Sequence, residues 1–348
     1  MKELPHSSIE ALDALVQGAA RICLTTHMRP DGDAVGSTYA MYVYLKQVRG
    51  REVSVVLSDA PARNIAFAVP PDAWADTLTF EQSPSASEDA LARAELIICL
   101  DFNTLSRVGG LESALAGAPA PKVLIDHHPF PQTEKFDLVF SDTGVSSASE
   151  LLLHVLRALT GCGDDLGVLP RQTLRCLMTG ITTDTNNFAN SVWPTTLECC
   201  SALLAAGVDR EDILDHLYKR SSEARVRAYG RLISDFMFIT PQGAACIILD
   251  AATFRSMGLV KGDTEGLVNI PLEIEKVKMS IFVHEEDGEF RVSVRSKRGV
   301  LANAFASGYF NGGGHDQAAG GRLKITGGLR TAEDIKRYVC KCVEEYFG

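Results

Sequence analysis

The chain has 348 residues, 46% of them hydrophobic and 22% charged. That composition excludes a disordered tail, a collagen and a coiled-coil rod, and the length predicts about two domains. The formal net charge of −10, from 34 Lys+Arg against 44 Asp+Glu, argues against a protein that coats duplex DNA. A small phosphate ligand in a local basic pocket stays open.

Ser7-x-x-Glu10 predicts a capping box, and Ile9, Leu12, Leu15 and Val16 then recur at helical spacing. A strand is expected over 22–25, running straight into His27-Met-Arg-Pro-Asp-Gly-Asp33. A helix over about 34–48 leads to a strand over 53–57, and the Pro-, Ala- and Ser-rich stretch 60–88 has no legible period. The apolar strand 96–100 ends in Asp101, and the strand 123–125 ends in Asp126-His127-His128. Strands alternating with helices predict βαβ units and a mainly parallel sheet. From 146 to 227 the chain reads as helical, with Pro170 and Pro194 near helix starts. Beyond it, strands are expected over 244–249, 278–283 and 289–295, with Asp287-Gly288 as a hairpin turn, and a last helix over 331–346.

The fold class is therefore α/β: a mainly parallel-sheet N-terminal domain over 1–195, a helical linker over 196–235, and a smaller α/β C-terminal domain over 236–348. The nine cysteines include Cys23, Cys99 and Cys246 inside apolar runs and form no CxxC pair, so they read as buried hydrophobes of a reducing compartment. Cys199-Cys200 and Cys340-Lys-Cys342 are weak metal candidates. Trp74 and Trp193 are expected in the core or an interface, and His154 and His216 as ordinary helix residues. No basic-then-apolar leader and no run near the ~20 residues of a membrane span is present; the expectation is a cytoplasmic protein without a membrane partner.

Three strand ends carry the chemistry. His27, Asp31 and Asp33 follow the first strand, Asp101 ends a second, and Asp126, His127 and His128 end a third. Ligands of open α/β sheets bind outside the carboxyl ends of the strands. Asp184, in Thr182-Thr-Asp-Thr-Asn-Asn187, follows a helical stretch and is a further candidate. An Asp after a strand is commonly a turn or helix cap, but four such clusters at successive element ends are hard to assign to capping alone. So many carboxylates in one crevice repel unless cations neutralise them. Carboxylates with fewer imidazoles suit two divalent ions of the Mn²⁺ kind, and a metal pair is the usual clamp for phosphoryl chemistry.

These residues carry a resemblance. His27-Met-Arg-Pro-Asp-Gly-Asp-Ala34 with Gly36-Ser37, then Asp101, Asp126-His127-His128 and Thr183-Asp184-Thr185, resemble the successive motifs of the DHH phosphoesterase superfamily. Arg295-Ser296-Lys297 and Gly312-Gly313-Gly314-His315 resemble its DHH-associated C-terminal domain. The two-domain length resembles the bifunctional oligoribonuclease and 3′-phosphoadenosine 5′-phosphate phosphatase (nano-RNase) branch. The resemblance implies one metal on His27, Asp31 and Asp101, and a second on Asp33, Asp101, His127 and Asp184, with Asp101 bridging. It places His128 beside the scissile phosphate as a catalytic group and gives Asp126 the task of orienting the histidine pair. Asp142 and Ser146-Ser147 match a segment between motifs.

In the C-terminal part, Arg291, Arg295, Lys297 and Arg298 cluster in an otherwise acidic chain, and strand alternation puts Arg291, Ser293 and Arg295 on one face. Guanidinium forks match phosphate oxygens, Gly312, Gly313 and Gly314 can bring N–H groups to an anion, and His315 can add a donor. The resemblance implies that Arg295, Ser296 and His315 hold one phosphate while a neighbouring one is cleaved. Arg107 and Asn187 lie near motif positions as candidates for substrate contact or support. The expected function is metal-dependent hydrolysis of short oligoribonucleotides and of 3′-phosphoadenosine 5′-phosphate. The expected partners are short RNA, dinucleotides and small nucleotides, and a homodimer is compatible with them. The rivals are a phosphodiesterase of cyclic di-AMP or its linear product, a family II inorganic pyrophosphatase, a RecJ-like long-strand exonuclease, and a non-catalytic nucleotide sensor. The Gly-Gly-Gly-His segment speaks against the pyrophosphatase, and length and acidity against the exonuclease.

Overall fold

A computed structural model describes residues 4–348 except 261, 265 and 287. The chain forms two compact units, Met1–Arg220 and Ser221–Gly348. The first contains β1 Arg21–Thr26, β2 Glu52–Leu57, β3 Thr77–Thr79, β4 Leu96–Leu100, β5 Lys122–Asp126 and β6 Leu138–Ser141. They make one sheet in the order β3-β2-β1-β4-β5-β6, and every neighbouring pair is parallel. Its strands read as unbroken apolar runs because both faces are covered. In β4, Leu96, Ile98 and Leu100 join one core with Leu24, Tyr39 and Leu152. Ile97 and Cys99 point to the other, with Leu91, Phe102 and Leu115.

The helix expected from Ser7-x-x-Glu10 spans His6–Gly18, but Pro5 is its N-cap and no side chain caps it. Both residues of the expected box fall inside the helix, where Glu10 instead pairs with His6 at 3.2 Å. The stretch without a legible period holds two 3-10 turns, Ala66–Ala68 and Pro71–Asp76, then β3 and a helix Pro84–Arg93. Of the two placements expected for Trp74 and Trp193, the core is excluded: both are surface residues, 44% and 45% exposed. Trp74 lies on a 3-10 turn that buries only Ala73, and Trp193 is the residue ahead of a helix that starts at Pro194.

The 196–235 stretch is divided between the units. Cys199, Cys200, Leu203 and Ile213 pack into the first unit's core, whereas Ala228 and Leu232 pack with Ile247, Leu249 and Phe282 in the second. The second unit holds β7 Phe238–Ile239, β8 Ala244–Leu249, β9 Met279–Glu286, β10 Glu289–Ser296, β11 Gly313–Gly314 and β12 Ala318–Lys324. They form a mixed sheet in the order β11-β12-β10-β9-β8-β7. The β8–β9 pair is parallel and the others antiparallel. The helices Ala302–Tyr309 and Ala332–Phe347 cover one face through Phe305, Ile335 and Val339, joined by Phe310 just past the first helix. Glu286 pairs with Glu289 at the expected hairpin, where Gly288 has φ 77° and Asp287 lies outside the described residues. All nine cysteines are free thiols. Among the described residues, no helix is long and apolar enough to cross a membrane.

Candidate metal centre

The sheet order reverses direction between β1 and β4, and such a switch point opens a crevice beyond the carboxyl ends of the two strands. His27 follows β1 and Asp101 follows β4, so both line it. Asp101 has φ 63°, in the left-handed region, a conformation that Asp tolerates better than most residues and that tends to mark functional sites.

His27 is buried, and its Nδ1 lies 2.9 Å from the Met28 carbonyl. Donation there places the lone pair on Nε2, which is 3.5 Å from Asp101 Oδ2 and 3.9 Å from Asp31 Oδ2. Asp31 does two things with its two oxygens. Oδ1 caps the helix Gly32–Gln47, accepting from the amides of Asp33 and Ala34 at 3.0 Å each, and Oδ2 faces His27. The capping reading and the site reading of this residue therefore both hold.

Asp33 lies in the first turn of that helix, fully inside the unit. Its carboxylate accepts from the amides of Ala148 at 2.6 Å and Ser149 at 2.9 Å. Those amides open the helix Ala148–Thr160, whose N-terminal dipole favours an anion. His127 Nε2 lies 3.5 Å from Asp101 Oδ1 and 3.5 Å from Asp184 Oδ2. His128 Nδ1 lies 2.7 Å from Asp126 Oδ1 and 3.6 Å from Asp101 Oδ1. Donor atoms of His27, Asp31 and Asp101 fall within 4.8 Å of one another, as do those of Asp33, His127 and Asp184 and those of Asp101, His127 and His128.

The charges in this crevice are frustrated without a cation. Burial, with Asp101 and Asp184 adding to it, pushes Asp33 well above the usual carboxylate range. Burial likewise raises Asp184 to about 7, against the pull of His127. Burial alone would lower His127, but Asp101 and Asp184 outweigh it and lift the imidazole to about 10. Asp101 is held far below the usual range because His127 and His27 overcome its burial. Among the described residues, His27 Nε2 and Asp101 Oδ1 are buried and have no hydrogen-bond partner, a costly state for polar atoms. Imidazole nitrogens and carboxylate oxygens with their lone pairs gathered at one point fit a divalent cation.

Three glycines let this site assemble. A Cβ on Gly32 would fall on the Thr183 side chain, one on Gly36 would lie 2.6 Å from the Cys176 carbonyl, and one on Gly180 would fall on Ser149 Oγ and 2.7 Å from Asp33 Oδ1. The helices Gly32–Gln47 and Arg171–Asp184 therefore approach backbone to backbone, which brings Asp184 to the crevice from outside the strand ends.

Glu150 was not singled out by the sequence reading. It is fully buried and accepts from Ser146 N (2.9 Å), Ser146 Oγ (2.6 Å), Thr195 Oγ1 (2.8 Å) and Thr196 Oγ1 (2.7 Å). It thereby fixes the helix start that holds Asp33. The Ser147-x-x-Glu150 spacing was the available signal. Cys199 and His154 lie beside Glu150, with Sγ 3.4 Å from Nε2. Burial pushes this thiol up to about 12 and lowers His154, so the pair stays neutral. His216 stacks on Phe67. Asp142 is buried and accepts from Gly144 N at 2.9 Å. Asn187 is bonded by Arg210. Arg107 is half-buried, its carbonyl accepts from Met28 N at 2.7 Å, and its charge opposes protonation of His27.

In the second unit, Arg295 pairs opposite Ala318 at the end of the β10–β12 ladder. His315 closes a turn with Ala318 (2.8 and 3.2 Å), so the two lie at the same sheet end. Arg295 is half-buried and, among the described residues, has no carboxylate partner; Nη1 donates to the Val294 carbonyl at 2.9 Å. Ser296 Oγ donates to the Val300 carbonyl at 2.6 Å. Arg291 is held by Glu286 at 2.5 Å, and Lys297 by the carbonyls of Ile274 and Glu275. Gly313 and Gly314 are strand residues pairing with Gly320 and Ala319, and a Cβ on Gly312 would fall on the Gly320 carbonyl. Close strand approach therefore requires glycine at 312.

With this geometry in place, residues 21–181 match the DHH family, N-terminal domain, and residues 250–345 match the DHHA1 domain. The chain belongs to the DHH family of phosphoesterases. It is 27% identical over 304 residues to the bifunctional oligoribonuclease and PAP phosphatase NrnA of Bacillus subtilis (strain 168), covering 87% of this chain and 89% of the relative. It is 28% identical over 307 residues to the protein of the same name from Thermus thermophilus, covering 87% and 84%. The crystal structure of an exopolyphosphatase-related protein from Bacteroides fragilis superposes with a TM-score of 0.90 at 30% identity, covering 100% of this chain and 98% of that one.

Proposed function

We propose that this chain is a divalent-metal-dependent phosphoesterase that hydrolyses short oligoribonucleotides and 3′-phosphoadenosine 5′-phosphate, with Mn²⁺ as the preferred ion. The observation that carries the reading is the sharing of Asp101 between two histidines, His27 and His127, each 3.5 Å away with Nε2 toward it. The names of the relatives over most of the chain support the substrate class.

In this reading His27, Asp31 and Asp101 hold one ion, and Asp33, Asp101, His127 and Asp184 hold a second, with Asp101 common to both. Divalent ions held by these residues would supply charge neutralisation of the phosphate and acidification of water. Asp31 and Asp33 are pre-set by their bonds to main-chain amides, so little reorganisation is needed when the ions enter. Asp126 accepts from Nδ1–H of His128, so in the imidazolium form Nε2–H donates a hydrogen bond or proton to the phosphate or the leaving oxygen. In the second unit, Ser296 Oγ and the Gly312 amide, which donate to the Val300 and Ala306 carbonyls, hold the shape of the sheet end at which Arg295, His315 and the strand Gly313–Gly314 bind a further phosphate. Arg295 suits that task because it is a half-buried cation without a carboxylate partner among the described residues.

The test is turnover of the metal-replete protein on a panel of 2–5-nucleotide RNA, 3′-phosphoadenosine 5′-phosphate, cyclic di-AMP and pyrophosphate, with Mn²⁺ against Mg²⁺ and Zn²⁺. The reading requires short RNA and 3′-phosphoadenosine 5′-phosphate to lead the panel in Mn²⁺. A lead for pyrophosphate or cyclic di-AMP, or no turnover at all, would overturn it.

A further inference from the structure

We propose that Phe130 is a stacking platform for a nucleobase of the substrate, an inference that rests on the nucleotide reading above. Its side chain is 90% exposed, whereas no other large hydrophobic among the described residues exceeds the 61% of Val226. Its φ is 58°, an outlier for a bulky residue, and such outliers cluster at ligand sites where the surroundings over-determine them. The surroundings do so here. Phe130 sits between Pro129 and Pro131, which restrict the backbone on both sides. Asn103 Nδ2 donates to the Pro129 carbonyl at 2.7 Å, Gln132 N donates to the Asn103 carbonyl at 2.8 Å, and Leu105 N donates to Gln132 Oε1 at 3.1 Å. The loop after β5 is thus strapped to the loop after β4, two residues beyond Asp101.

Phe130 follows His128 by two residues, a chain length that spans at most about 7 Å. A base hangs one ribose away from its phosphate, a reach of the same order. An aromatic ring held rigidly beside a phosphate site and open to solvent loses little freedom when a base stacks on it. Every base has a π-face, so this contact favours nucleotides over pyrophosphate without preferring one base.

The experiment compares metal-replete wild type with Phe130→Ala and Phe130→Trp by calorimetry with adenosine 5′-monophosphate and with ribose 5-phosphate. Wild type should bind the nucleotide more tightly than the sugar phosphate. Phe130→Ala should lose about 5- to 150-fold in affinity for the nucleotide alone, and Phe130→Trp should keep it. On a dinucleotide, Phe130→Ala should raise KM with little change in kcat. Equal nucleotide affinity in wild type and Phe130→Ala, or an equal loss for both ligands, would overturn the platform. An altered elution volume of Phe130→Ala with unchanged nucleotide affinity would assign the ring to a contact between copies of the chain and also overturn it. Failure of wild type on the whole substrate panel would instead sink the phosphoesterase reading, and the affinity comparison would still decide on Phe130.

Discussion

Asp126 holds His128 through a 2.7 Å contact between Oδ1 and Nδ1, while the neighbouring His127 turns its Nε2 to Asp101 and Asp184. The two rings meet edge-on, 62° apart; both come within 3.6 Å of Asp101 Oδ1, but the short bond of His128 is to Asp126, whereas His127 also faces Asp184. His127→Ala should therefore lower metal occupancy, read by elemental analysis after desalting. His128→Ala should keep its metal and lose roughly 10²- to 10⁴-fold in kcat, the range of a positioned acid or base. Asp126→Asn should fall between wild type and His128→Ala in kcat. Equal metal loss in both histidine variants would refute the division.

Gly180→Ala tests the close approach of two helices. Alanine is the better helix former by about 1 kcal/mol, so an open site would gain stability. Here the added methyl meets Ser149 Oγ and Asp33 Oδ1, and overpacking costs typically about 1–3 kcal/mol. The expected outcome is a lower urea midpoint together with weaker metal binding. A stabilised variant with normal metal affinity would show that the helices can part.

Acid and metal compete for the same groups. In the metal-free chain Asp184 is raised from 3.8 to about 7 and His127 from 6.5 to about 10. Both folded-state values lie above the unfolded ones, so the folded chain binds the extra protons. Their stabilising contribution is complete below pH about 4 for Asp184 and about 6.5 for His127, and is lost as pH rises through the raised values. Metal needs the deprotonated forms. The rise in melting temperature on adding Mn²⁺ to chelator-treated protein should thus be larger at pH 8 than at pH 5, with affinity falling about tenfold per pH unit for each competing proton. A metal shift independent of pH would exclude the competition.

Arg295→Ala should remove a charge-assisted phosphate contact worth about 1.5–3 kcal/mol, or roughly 10- to 150-fold in kcat/KM on a dinucleotide. A phosphodiester reporter without a second phosphate should lose much less, because the first unit's residues are untouched. Short substrates should be preferred over a 20-mer, since the net charge of −10 repels the additional phosphates of a long strand. An equal loss on dinucleotide, 20-mer and reporter would remove Arg295 from substrate binding.

The sequence by itself determined the parallel sheet and the strand-end residues of the site. Strands covered on both faces must be continuous apolar runs, and the polar residues that interrupt those runs at their ends, His27, Asp101 and Asp126 to His128, stand where a switch-point crevice opens. Their side-chain chemistry is local and legible one residue at a time. Only the tertiary structure decided what those residues answer to. Asp33 is held by the amides of Ala148 and Ser149, more than a hundred residues away in the chain, and by a helix start that Glu150 fixes. Gly36 and Gly180 look like ordinary helix-weakening residues until the facing backbone is known. Trp74 and Trp193 read as core or interface because they are large and apolar, and only the turns that carry them decide that they lie at the surface. The strain and exposure of Phe130 are likewise invisible in the letters Pro-Phe-Pro, because φ and solvent contact are set by the bonds of Asn103 and Gln132. Chemical identity and period are properties of the chain; register, close approach and exposure are properties of which distant backbone arrives beside it.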